Sequence, residues 1–185
     1  MAIPVFLSHP RPNTPQQSKL VGTIRDYFLD RDLEPRTLGV SDYDAEVPLA
    51  SIRRIMMECN GVLVLALRRY RIDQGAAVYL DKDNLLRETD ISGKWLTSPW
   101  CHIEAGMGFQ LGLPVLVFRE SAVVADGVLE RGVMAAYMPE ISLEGDLDQF
   151  FRDQEWRQLI NRFEADVWEY RRVKGVPQVH RYRAS

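Results

Sequence analysis

At 185 residues, the chain can form one domain that buries roughly 70% of the surface its unfolded form exposes. Hydrophobic residues make up 46% and charged residues 26%, with a net charge of −3. That balance excludes a protein that holds polyanions through bulk charge, so no nucleic-acid partner is expected. No apolar run is long enough to span a bilayer, and the N-terminus lacks the basic region and cleavage site of a signal peptide. A cytoplasmic protein without a membrane partner is expected.

The first strand is expected at residues 3–7, followed by a polar, proline-rich loop over 8–15. Residues 18–31 have helical periodicity, with Leu20, Val21, Ile24, Phe28 and Leu29 on one face. A weaker strand is expected at 33–38. The loop 39–48 carries Asp42, Asp44 and Glu46. A short helix over 49–59 turns Ile52, Ile55 and Met56 inward and ends at Asn60-Gly61. Residues 62–67 are continuously apolar, as in a strand covered on both faces. Residues 68–97 have no clear period and much charge, which predicts a functional or partly helical insertion. Ser98 is a predicted helix N-cap and Pro99 suits the first helical position. That helix should stop at Gly112, before Pro114 and an apolar strand over 115–118. Residues 119–138 are mixed and irregular. Residues 146–173 predict one long amphipathic helix, with Phe150, Trp156, Leu159, Ile160, Phe163, Val167 and Tyr170 facing inward, before a polar tail over 174–185.

Strands alternating with helices predict an α/β domain spanning 1–185, with a central parallel sheet flanked by helices, an insertion over 71–97 and a C-terminal helix. Ligands of such sheets sit at the carboxyl ends of the strands. The loop after Leu7, the loop 39–48 and the helix start at Ser98 converge there. Cys59 and Cys101 show no metal-ligand spacing, so reduced thiols and no metal are expected.

Two motifs stand at that convergence. One is Val5-Phe6-Leu7-Ser8-His9, an apolar strand ending in Ser-His. The other is Ser98-Pro99-Trp100-Cys101-His102-Ile103-Glu104, which puts Trp100 and Glu104 four apart on one helix face. The pair, with the helix and strand between, resembles the first box and the Ser-x-Trp-Cys-x-x-Glu box of the TIR domain family. The resemblance covers roughly the first two-thirds of the chain and implies a flavodoxin-like three-layer sandwich. The chain departs from the family pattern in the inserted 71–97 segment. It departs again in the loop Ser41-Asp42-Tyr43-Asp44-Ala45-Glu46-Val47-Pro48, which lacks a Gly-Pro pair. The run from Glu104 to Val115 also resembles nucleoside deoxyribosyltransferases.

Both resemblances imply cleavage of an N-glycosidic bond. The TIR resemblance implies an NAD glycohydrolase or ADP-ribosyl cyclase in which Glu104 is catalytic. NAD would be the substrate, with no cofactor, and the setting bacterial antiviral defence or signalling. It further implies a homo-oligomer or activation by a separate protein. Nicotinamide leaves as a neutral base, so a single carboxylate that stabilises an oxocarbenium-like ribose suffices without a general acid. Ser8, His9, Asp42, Tyr43, Ser98 and Trp100 are the expected substrate contacts. Arg68, Arg69 and Arg71 are either phosphate ligands or a solvated cluster. Two rivals stand beside this reading. A nucleoside or nucleotide N-glycosidase would need a second acid, from Asp42, Asp44 or Glu46, near Glu104. A non-enzymatic interaction module would leave Glu104 as a helix-surface carboxylate.

Overall fold

The computed structural model describes residues 2–43, 45–134 and 138–174. The apolar runs become parallel strands: β1 (Ile3–Ser8), β2 (Leu33–Arg36), β3 (Val62–Ala66), β8 (Val115–Glu120) and the short β9 (Glu140–Ile141). Their order in the sheet is β2-β1-β3-β8-β9, with Phe6 beside both Arg36 and Val62, and Val62 beside Val115. The helices are α1 (Pro15–Leu29), α2 (Pro48–Glu58), α3 (Pro99–Gln110), α4 (Leu147–Arg152) and α5 (Gln154–Val173).

Strand alternation sorts the core into two layers. Leu63, Leu65 and Leu67 face one side of the sheet with Ile3, Val5 and Leu7, where Ile24 and Phe28 of α1 and Trp156, Ile160 and Phe163 of α5 cover them. Val62, Val64 and Ala66 face the other side with Phe6, against Ile52, Ile55 and Met56 of α2 and Cys101 and Ala105 of α3. This is the three-layer, flavodoxin-like α/β layout. The chain leaves β1 toward β2 and then returns to the opposite side of β1 as β3. The sheet therefore has a switch point between β1 and β3, where α/β proteins bind ligands at the carboxyl edge.

Four expectations are corrected. The segment 71–97 holds no helix. It forms antiparallel β4 (Tyr70–Arg71) with β7 (Trp95–Leu96), and beyond them the hairpin β5 (Ala76–Leu80) and β6 (Leu86–Asp90). The predicted helix over 146–173 is two helices, because Asp153 takes an extended conformation and its side chain caps α5 by accepting from the Glu155 amide. The second strand stops at Arg36, because the Thr37 carbonyl turns to accept the amides of Val40, Ser41 and Asp42. Lys174, assigned to the tail, is anchored through Nζ to the carbonyls of Glu58 and Cys59 at 2.9 Å each. Asp44 and residues 175–185 lie outside the described residues. No helix among the described residues is long and apolar enough to cross a membrane.

Candidate active site

The carboxyl ends of β1, β2 and β3 and the start of α3 surround a cleft of about 420 Å³. The loop after β1 supplies His9, Pro10 and Arg11, and the turn after β2 supplies Thr37 and Leu38. Pro48 and Ile52 come from α2, and Arg69 and Tyr70 from the segment after β3. Ser98, Trp100 and Glu104 come from α3.

Ser98 caps α3, its hydroxyl accepting from the Trp100 amide at 3.3 Å. Pro99 stands at the first position, where no amide donor is needed. One helical turn then carries the wall from Trp100, 44% exposed, to Glu104, 9% exposed. Glu104 is therefore no surface carboxylate. Ser8 is on the even-numbered face of β1, the face that meets α3, and its hydroxyl donates to Glu104 Oε2. Gly108, one turn further along, lets the helix approach the sheet: a Cβ there would lie 2.7 Å from Val62 Cγ2. Gly106 has open space around the same position and no such role.

Burial dominates the electrostatics. It pushes the Glu104 carboxyl up to about 7, against the opposing effect of the Ser8 hydrogen bond. It also lowers the His9 pKa, so the imidazole is neutral; its Nδ1 donates to the Pro10 carbonyl at 2.9 Å. The Cys101 and Cys59 thiols are both raised to about 12 by burial and are unreactive. Among the described residues lining the cleft, Glu104 is the one carboxylate, and Arg11 and Arg69 bring positive charge.

The sequence-expected contacts divide. Ser8, His9, Ser98, Trp100 and Glu104 come together at the cleft. Asp42 does not line it. Arg36 grips its carboxylate, with Nε at 2.9 and 2.7 Å from the two oxygens, and holds its pKa below the usual range. Tyr43 is 79% exposed and also off the wall. Arg68 is occupied elsewhere: Nε donates to the Ser121 carbonyl at 2.7 Å and lies 3.5 Å from the buried Glu120 carboxylate. Glu120 also accepts from Gln17 Nε2 at 2.9 Å and from the Arg68 amide at 2.8 Å. Arg71 pairs with Asp73 at 3.3 Å on the surface. Sequence reasoning missed Arg11 and Tyr70 as wall residues. It also missed Glu120, whose signal was a lone carboxylate at the carboxyl end of an apolar strand. Among the described residues no group of three or more His, Cys, Asp or Glu side chains is placed to hold a metal ion.

No family model matches the chain, and no curated protein matches its sequence. Solved structures do resemble its backbone. A 2-desoxiribosyltransferase from Leishmania mexicana shares 12% identity with a TM-score of 0.39, covering 63% of this chain; the chain spans 64% of that protein's length. A CMP N-glycosidase from Clostridium botulinum shares 14% identity with a TM-score of 0.45, covering 80% of this chain and 98% of that one. The TIR domains of the activated Roq1 resistosome share 13% identity with a TM-score of 0.41, covering 100% of this chain and 92% of that one.

Proposed function

We propose that the chain cleaves an N-glycosidic bond in an anionic nucleotide, and that the substrate is NAD, cut between nicotinamide and ribose. One observation carries this reading: a buried carboxylate, Glu104, fixed by Ser8 at the switch point of the sheet, with no second carboxylate among the described residues of the cleft wall. A nucleobase leaving group ordinarily requires an acid to protonate it, and Asp42, one of the acids considered for that role, is engaged by Arg36. Nicotinamide requires none. Its ring is a cation before the bond breaks and a neutral molecule afterwards, so charge is transferred to the ribose as the bond lengthens; C1′ is then bonded by water, which gives up a proton to solvent, or by the substrate's own adenine ring. A carboxylate beside that ribose is then stabilising in proportion to how well water is excluded.

In this reading ionised Glu104 faces the ribose, and Ser8 holds one of its oxygens so that the other is directed at the sugar. Trp100 and Tyr70 offer ring faces for the nicotinamide or adenine. Arg11 and Arg69 are the cations available to the pyrophosphate. The pyridinium charge itself favours the ionised carboxylate on binding, offsetting part of the burial effect.

Product analysis after incubation with NAD, and separately with nucleosides and nucleoside monophosphates, tests the proposal. Release of nicotinamide from NAD is expected, with turnover lowered at least about a hundredfold in Glu104→Gln, or roughly 2.7 kcal/mol of transition-state stabilisation. Cleavage of nucleosides or monophosphates with NAD left intact would replace the substrate assignment. Unchanged turnover in Glu104→Gln would remove the catalytic one.

A further inference from the structure

The β5–β6 hairpin lies beyond the cleft and is used by nothing in the reaction above. Every residue of both strands is exposed. It is nevertheless well built. Asp81 Oδ1 accepts the amides of Asp83 and Leu85 at 2.9 and 3.0 Å, Arg87 Nε bonds Asp81 Oδ2 at 2.7 Å, and Asn84 takes the left-handed conformation at φ 58°. An isolated two-stranded hairpin is marginal in water, and this one presents Val78, Tyr79, Leu80 and Leu86 to solvent.

Its two edges differ. The Asp81 amide donates to the Leu85 carbonyl and the Ile91 amide to the Gly75 carbonyl, each at 3.0 Å. Antiparallel alternation between these two pairs points the backbone groups of Ala76, Val78 and Leu80 outward from β5, and those of Leu86, Glu88 and Asp90 outward from β6. The β5 edge carries no charge. The β6 edge carries two acidic residues at its outward positions, a common protection against edge pairing.

We propose that β5 is the self-association edge of this protein, pairing antiparallel with β5 of a second copy about a two-fold axis at Val78. The strand is self-complementary in that arrangement. Val78 meets the second Val78, each Ala76 meets a Leu80, and each Ala77 meets a Tyr79, so a small side chain faces a large one at every off-axis pair. The corresponding β6 pairing would set Glu88 against Glu88 and is repelled. A β5–β6 pairing would be head-to-tail and would not close on itself. Two hairpins joined through β5 make a four-stranded antiparallel sheet. Each is rooted through β4, whose Tyr70 lines the cleft, so the join links the rims of two clefts. The inference concerns the hairpin alone and stands apart from the chemistry proposed for Glu104.

Solution mass of the full chain over a dilution series, together with three single substitutions, tests it. Val78→Pro removes an outward amide without losing a bond inside the hairpin, and the mass is expected to fall by half. Val78→Cys is expected to give a covalent dimer under mild oxidation, since the two Cα atoms of such a pair lie within disulfide reach. The native thiols are buried and do not compete. Glu88→Cys is expected to stay monomeric on the same gel. Should Val78→Pro fail to fold, the two cysteine variants decide alone. A wild-type chain that is monomeric throughout, a Val78→Pro chain that keeps the wild-type mass with an intact circular-dichroism spectrum, or equal cross-linking of Val78→Cys and Glu88→Cys would each overturn the proposal.

Discussion

Glu104→Gln should make the protein more stable, and the gain should depend on pH. Burial raises the Glu104 carboxyl from 4.5 to about 7. Between those values the folded protein keeps a proton that the unfolded chain has released. Stability therefore falls as pH rises through that window and levels off above it. The full shift corresponds to about 3 kcal/mol by pH 8, against about 1 kcal/mol at pH 5. Glutamine keeps the size and can still bond the Ser8 hydroxyl, but has no charge to desolvate. Urea melts of wild type and Glu104→Gln at pH 5 and pH 8 measure the difference directly. The variant is expected to gain about 2 kcal/mol more at pH 8 than at pH 5. A gain independent of pH, or a loss at pH 8, would refute the claim that burial of an ionised carboxylate is what the site tolerates.

The catalytic counterpart is a kcat/KM for NAD that rises with pH through about 7, as free Glu104 ionises, and then flattens. Ser8→Ala removes the bond that favours the ionised form, so that rise should move at least about one unit to higher pH; stopped assays across a pH series follow it. Ser98→Ala removes the α3 cap and should cost about 1 kcal/mol in a denaturant melt. Gly108→Ala forces a Cβ against Val62 and should cost about 1–3 kcal/mol, whereas Gly106→Ala should gain up to about 1 kcal/mol; paired urea melts separate them.

The parts of the fold legible in the sequence are those whose pattern comes from burial. The apolar runs at 3–7, 62–67 and 115–118 read as strands, and each becomes one. The cap at Ser98 fixed where α3 begins, and with it the four-residue step from Trp100 to Glu104. The hairpin was illegible for the converse reason: neither face is buried, so no two-residue period of apolar and polar side chains marks it. The break at Asp153 was hidden because no glycine or proline marks it and apolar residues stand on both sides; its one trace is phase, since Phe150 lies about 120° round a continuous helix from Trp156. At the cleft, Arg68 and Arg69 are equivalent in sequence. What separates them is the end of β8: Glu120, 52 residues from Arg68, and Ser121 are brought beside Arg68 by the pairing of β3 with β8.

The packing behind Glu104 explains how a costly residue is kept in place. A carboxylate on an exposed helix face would ionise freely at the usual pH and would be solvated, hence, in the proposed reaction, weakly coupled to a sugar. Moving it inward strengthens that coupling and at the same time penalises its charge. The chain reaches a compromise through two small residues. Gly108 brings α3 against Val62, which sets the distance between helix and sheet. Ser8, at the last position of β1, then lies within hydrogen-bonding reach of the carboxylate on the turn above. Its single donor restores part of the solvation that burial removes, and the residue still lines the cleft. A bulkier residue at Gly108 would lengthen that contact and loss of the Ser8 hydroxyl would remove it, so the protonation state of Glu104 is set by the spacing of two layers as much as by its immediate neighbours.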